Sequence, residues 1–182
     1  MTENKSMAKS KIAWGITGAG HFLFECVEML CQLRKADVFL TRAAVEVLAQ
    51  YRLWEKVQQS GHKIFQDIGA SSGPVTKLYG GSYQTVVIAP VTANSIAKMK
   101  LGIADTLVTN LFAHAGKCQI RTVLLPCDIG EAAETTTPNG DKVPVHIRAI
   151  DRENAACLEK QRDVVIVRNP AELNSLIKGV AL

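Results

Sequence analysis

What the chain lacks is the first guide to it. In 182 residues no apolar run approaches the roughly 20 needed to cross a bilayer, which excludes a helical membrane span. There is no block of Lys and Arg. The basic residues stand mostly singly, and aromatics are only 5% of the chain and do not interleave with them. A net charge of +4 so dispersed does not make a nucleic-acid surface. The five cysteines, Cys26, Cys31, Cys118, Cys127 and Cys157, are odd in number and irregularly spaced. They fit no zinc ribbon, ferredoxin cluster or CxxC pair and read as reduced structural thiols, so no metal site is expected. Internal repeats and low-complexity tracts are also missing. The opening MTENKSMAKS is polar and has no apolar signal-peptide core. A disordered tail is expected over residues 1–10, then a single domain over 11–182, in a cytoplasmic protein.

What is present is an alternation. Apolar runs suited to buried strands occur at Lys11–Ile16, Val38–Leu40, Thr85–Ala89, Thr122–Leu125 and Val164–Val167. Helical spacing falls between them, at Phe22–Leu33, Ala43–Val57, Ile96–Leu101, Ala104–Ala115 and Asn154–Glu159. The pattern predicts an α/β fold: a Rossmann-like (flavodoxin-like) open parallel sheet in three layers with right-handed crossovers. Two segments interrupt it. Gly69–Tyr83 is rich in Gly and Ser and reads as a long loop or lid. Glu134–Ile150 has two β-prone arms around Pro138-Asn139-Gly140-Asp141, and so predicts a hairpin insertion that covers a site or serves subunit contacts.

In such a sheet ligands sit beyond the carboxyl ends of the strands. Three places there carry hydroxyls or small residues: "GITGAG" after the first strand, Thr41 after the second, and "APVTANS" after the third. A strand that stops at small residues and turns at once into a helix leaves backbone N–H groups unpaired, with the helix dipole behind them. Thr17, Thr41 and Thr92 taken singly are equally compatible with plain helix caps; together at one sheet edge they point to a phosphorylated ligand. "GITGAG" does not fit GxGxxG, and Thr41-Arg42 stand where a dinucleotide site places an acidic residue. A mononucleotide with a terminal phosphate therefore fits better than NAD.

"GITGAG", "LTRAA" and above all "IAPVTANSIAKMKLGIADTLVTN", Ile88–Asn110, resemble a family of flavin-binding proteins. That family includes the homo-oligomeric flavin-containing cysteine decarboxylases, the flavin prenyltransferases and the dihydromethanopterin reductases. The resemblance extends over most of the chain after the first ten residues and implies FMN as cofactor. It implies that Thr17, Gly18, Ala19 and Thr41 hold the phosphate and ribityl chain, and that Ala89, Pro90, Thr92, Asn94 and Ser95 line the isoalloxazine. It also implies a homo-oligomer built on trimers. The decarboxylase branch is the poorer match, with Thr76 where that branch has a catalytic His and "PCDIGE", Pro126–Glu131, in place of P-x-M-N-x-x-M. The segments "KIAWGITGAGH", "TTTPNGDKVPVHIRAIDRENAACLE" and "VVIVRNPAEL" are similar to the dihydromethanopterin reductases and to archaeal electron-transfer flavoproteins.

The expected function is thus an FMN-dependent reductase transferring a hydride to dihydromethanopterin or a similar dihydropterin, giving the tetrahydro form. Methanogen enzymes of that branch carry an added iron–sulfur domain; here electrons would come from a separate donor protein or a reduced nicotinamide system. The alternative is an electron-transfer flavoprotein fed by a ferredoxin-like donor, with a prenyltransferase or decarboxylase further behind. His21, beside the glycine turn, and Asp128, after the fourth strand, are the candidate catalytic residues: His21 as proton donor, Asp128, with Glu131, as acceptor from the paired N–H groups of a pterin. His62, His114, Asp105 and Asn110 read more readily as surface or capping groups. Cys127 adjoins Asp128, and Tyr79 and Tyr83 either close over a substrate or anchor their loop.

Overall fold

The computed structural model describes residues 11–69, 73–130 and 133–181. The main sheet has six parallel strands in the order β3-β2-β1-β4-β5-β8. In chain order the elements are β1 (Ile12–Ile16), α1 (Leu23–Gln32), β2 (Ala36–Leu40), α2 (Arg42–Gln50), α3 (Trp54–Gln59) and β3 (Lys63–Gln66). A 3-10 helix (Gly73–Leu78) then leads to β4 (Thr85–Val91), α4 (Ala93–Lys100), α5 (Leu107–Lys117) and β5 (Arg121–Pro126). The antiparallel hairpin of β6 (Ala133–Thr136) and β7 (Lys142–Val145), then α6 (Ala149–Glu159), β8 (Val164–Ile166) and α7 (Pro170–Ala181), complete it.

Because strand side chains alternate in direction, β1 divides between two cores. Ile12, Trp14 and Ile16 pack with α1, α2, α3 and α7 on one face. Ala13 packs on the other, with Phe39, Val86 and Ile88, against α4, α5, α6 and the 3-10 helix. These are the three layers expected. The crossovers from β1 and β2 lie on the first face and those from β4 and β5 on the second, so the chain parts between the carboxyl ends of β1 and β4. That is where a doubly wound sheet opens a crevice.

Several expected elements are revised. The single helix read over Ala43–Val57 is two, because Arg52 takes a left-handed φ of 57° between α2 and α3. The segment read as a loop or lid is packed where it is described. Val75, Leu78 and Tyr83 are buried, the Tyr83 hydroxyl donates to Asp37 at 2.5 Å, and residues 70–72 lie outside the described part. The edge strand β3 and the last helix α7 lie outside the elements that the apolar periodicity predicts. No helix of the described residues is long and apolar enough to cross a membrane.

Candidate functional site

The glycine turn is built by Thr17. Its side chain is buried, its hydroxyl donates to the Pro90 carbonyl at 3.2 Å, and its oxygen accepts from the Thr92 N–H at 2.8 Å. With the Thr17 N–H also bonded to the Pro90 carbonyl, the ends of β1 and β4 are locked together. The chain then reverses tightly, with the Ala19 N–H on the Thr17 carbonyl at 2.8 Å, and enters α1 through Phe22 at a φ of 63°.

Helices α2, α4 and α5 each have a threonine cap: Thr41 accepts from the Ala44 N–H, Thr92 from Ser95 and Thr106 from Thr109. No side chain caps α1. Its first turn, at the crevice, is therefore available to an external anion by the charge–dipole attraction that favours phosphate at helix starts. The capping reading thus holds for Thr41 and Thr92, whose hydroxyls are engaged within the chain.

A cavity of about 240 Å3 opens beside this turn, lined by Gly18, Ala19, Gly20, His21, Thr92, Cys127, Asp128, Thr135 and Val145. The fold thus brings together Gly18, Ala19, His21, Thr92 and Asp128 from the expected set. Thr41, Ala89, Pro90, Asn94 and Ser95 belong to the same sheet edge but do not line this cavity: Ala89 and Pro90 are buried in β4, Ser95 is buried in α4, and Asn94 is exposed. Glu131 lies outside the described residues. Thr135 and Val145 enter from the hairpin, for which the sequence leaves two roles open, covering a site or serving subunit contacts; these two residues place it at the cavity wall. Among the described residues no Lys or Arg lines the cavity, and no cluster of three or more His, Cys, Asp or Glu is placed to hold a metal.

The ionisable groups here are poised differently. Burial lowers the pKa of His21 from its ordinary value, an effect opposed by the nearby charges of Glu25 and Asp128. Its ring packs on Phe22 with centroids 3.8 Å apart. Asp128 accepts from the Ala93 N–H at 3.3 Å through Oδ2, a long bond to the first turn of α4. Burial, with the charge of Asp128, pushes the Cys127 thiol well up, and Cys127 donates to the His21 carbonyl at 3.5 Å. A thiol so held stays protonated and inert at neutral pH.

The other residues considered from sequence serve structure. His62 Nε2 bonds the Leu30 carbonyl, and Asn110 donates to the carbonyls of Ala104 and Thr106. Asp105 is held below the usual carboxylate range by a 2.6 Å bond from Lys98. Tyr79 and His114 bond each other at 2.8 Å, and Tyr83 is buried at the amino edge of the sheet. Both tyrosines anchor their segment.

The chain is similar to several known proteins. An uncharacterised protein of Methanocaldococcus jannaschii is 33% identical over 174 residues, 92% of this chain and 94% of its own length. A dihydromethanopterin reductase (acceptor) of Methanosarcina mazei is 36% identical over 136 residues, 68% of this chain but only 57% of that longer protein. Burkholderia xenovorans DmrB in complex with FMN, described as a cubic protein cage for redox transfer, superposes with a TM-score of 0.86 at 38% identity, over 95% of this chain and 96% of that one. The family model described as Flavoprotein matches residues 1–179. An uncapped helix start at the switch point of a doubly wound sheet is the expected seat of a phosphorylated cofactor, and with that match the chain belongs to the flavoprotein family.

Proposed function

We propose that the protein is an FMN-dependent oxidoreductase that reduces dihydromethanopterin or a similar dihydropterin to its tetrahydro form. The observation that carries this reading is the uncapped start of α1 opening onto a cavity shared with His21 and Asp128. The dihydropterin and the flavin are supported by the named activity of the Methanosarcina mazei relative and by the FMN complex of DmrB. Bound FMN supplies hydride chemistry that no side chain of the cavity can provide.

The chain's own residues bind and orient. With the Ala19 N–H held by the Thr17 carbonyl and the Leu23 N–H by the Gly20 carbonyl, the N–H groups offered to a phosphate are those of Gly18 and of the remaining first turn of α1, and Ala19 contributes its small side chain to the seat. The carboxylate of Asp128 has an oxygen, Oδ1, with no donor among the described residues, and so accepts from the paired N–H groups of an amino-pyrimidinone. His21 delivers the proton that must accompany a hydride to a C=N bond.

The cavity is smaller than the roughly 300–1,000 Å3 of ligand pockets in general, so one chain does not enclose a whole flavin mononucleotide. A second copy completes the wall in a homo-oligomer, a reading supported by the cage assembly of DmrB. The electrons come from a separate donor, a protein or a reduced nicotinamide.

The test is anaerobic: reduce the FMN-loaded protein, add dihydromethanopterin, and follow recovery of the oxidised flavin spectrum. Rapid recovery with stoichiometric pterin reduction is expected. A flavin that stays reduced with pterin but is reoxidised by one-electron acceptors would move the assignment to electron transfer, the reading favoured by the redox-transfer description of DmrB. His21→Gln is expected to keep FMN binding and to slow pterin-dependent reoxidation by about 100-fold, within the range of general acid catalysis. Because burial lowers the His21 pKa, the protonated donor is abundant only on the acid side of neutrality. The wild-type rate is therefore expected to fall as pH rises through a value below the ordinary histidine 6.5, and the variant to lack that limb. A pH-independent wild-type rate would remove His21 from the mechanism.

A further inference from the structure

The hairpin is the least anchored wall of the cavity. Its strands pair only with each other, and an isolated two-stranded ribbon is marginal in water. Yet Thr135 and Val145 stand over the glycine turn. Among the described residues one hydrogen bond joins residues 133–145 to the rest of the chain: the Tyr51 hydroxyl donates to the Thr136 carbonyl at 2.7 Å.

The same side chain presses on the turn itself, since a methyl group on Gly20 would meet the Tyr51 hydroxyl and stand 2.6 Å from the ring carbon Cζ. Tyr51 is no loose loop residue. Its N–H closes the end of α2 on the Val47 carbonyl at 3.0 Å, and the left-handed Arg52 behind it starts the path to α3. A ring fixed on a packed helix end thus meets both the anion-binding turn and the roof of the cavity with its hydroxyl end, the atoms nearest Gly20 being the hydroxyl oxygen, Cζ and Cε2.

We propose that Tyr51 is a positioning residue that ties the hairpin to the glycine turn and so sets how fast a ligand seated on that turn can leave. The ligand's identity as FMN rests on the function proposed above; the tie between Tyr51 and the hairpin does not. Tyr51→Phe is the informative variant, because it keeps the ring carbons Cζ and Cε2 beside Gly20 and removes only the hydroxyl that reaches the hairpin. Loss of one net hydrogen bond corresponds to about a two- to tenfold change in an equilibrium.

In the full-length protein, amide hydrogen exchange of residues 133–145 is expected to speed up by about that factor, with β1, β2 and β4 exchanging as in the wild type. The rate of FMN release, followed by recovery of free-flavin fluorescence, is expected to rise by a similar factor at unchanged melting temperature. Hairpin exchange equal to wild type, or acceleration spread evenly over the sheet, would overturn the tie. A loosened hairpin with unaltered FMN release would overturn the effect on ligand retention. Wild-type protein that takes up no FMN would count against the flavin assignment, and exchange in the apoprotein would still decide for or against Tyr51.

Discussion

Gly18→Ala is expected to lower stability by about 1–3 kcal/mol, the usual range for overpacking, and to weaken FMN binding by about tenfold or more. The objection to a side chain there is steric. An added Cβ would lie 2.6 Å from the Ala43 Cβ and 3.3 Å from the Ala43 carbonyl carbon, in the first turn of α2. Neither side can yield cheaply. The start of α2 is held by the Thr41 cap on the Ala44 N–H and by the Thr41 N–H on the Ile16 carbonyl. The glycine turn is held by the double use of the Thr17 hydroxyl. Relief must come from displacing the backbone amides that face the cavity, and amide-to-phosphate bonds weaken steeply with misplacement. Ala43→Gly in the same chain removes the opposing methyl group and is expected to restore much of the binding, less the roughly 1 kcal/mol that glycine costs in a helix. Titration of FMN into the wild type and both variants decides. Undiminished affinity in the single variant would mean that the phosphate sits elsewhere.

Such close contacts are also what separates the legible from the illegible here. The five apolar runs all became strands; in the inner strands β1, β2, β4 and β5 burial on both faces demands that hydrophobicity, while β8 at the edge is only partly buried. Strand β3 escaped because it lies at the edge, with Lys63 and Gln66 exposed and only Ile64 and Phe65 between them, too short for any period. Helix α7 announced itself in Asn169-Pro170-Ala171-Glu172, where Asn169 accepts from the Glu172 N–H at 2.9 Å, a start signal with Pro at the first position. The break at Arg52 had no such mark, since neither Gly nor Pro stands there. The Gly- and Ser-rich segment misled by composition, yet Val75 and Leu78, three residues apart, were the 3-10 spacing that packs it.

At the site, Gly18, Ala19, His21, Thr92 and Asp128 converge because each follows a strand at the same sheet edge, a matter of topology that the strand–helix rhythm already implies. Tyr51 could not be found that way. Its two contacts, Gly20 and Thr136, are 31 and 85 residues distant in the chain, and only folding brings them into register.

At the opposite edge, Asp37→Ala is expected to cost about 3 kcal/mol, the upper end of the penalty for leaving a buried polar group without its partner. Asp37 is 1% exposed on β2. Its Oδ2 accepts from the Tyr83 hydroxyl at 2.5 Å, and its Oδ1 has the Lys11 ammonium at 2.6 Å without an aligned hydrogen bond. Lys77 completes the group at 3.9 Å from Oδ2. Without the carboxylate, Lys11 and Lys77 can turn to solvent, but the buried Tyr83 hydroxyl loses its acceptor, and with it the tie that holds the 3-10 segment onto β2. Tyr83→Phe is expected to cost less than that, because one donor is lost from a carboxylate that keeps its lysines.

The pH dependence of stability separates the two variants further. Burial, the bond to Asp37 and the Asp37 charge raise the Tyr83 pKa in the folded state. Below about pH 10, the ordinary tyrosine value, both folded and unfolded chains hold that proton and the stabilisation is complete. Above it the unfolded chain releases the proton while the folded one keeps it, so wild-type stability is expected to fall by about 1.4 kcal/mol per pH unit from this residue. The Phe variant lacks that contribution. Denaturant unfolding from pH 9 to 11 measures the difference in slope, and equal slopes would mean that Tyr83 ionises as freely in the folded chain as in the unfolded one. FMN affinity at neutral pH, read on the same Phe variant at a temperature where it is folded, should match the wild type, because the cluster holds the amino edge of the sheet while the cavity lies at the carboxyl edge.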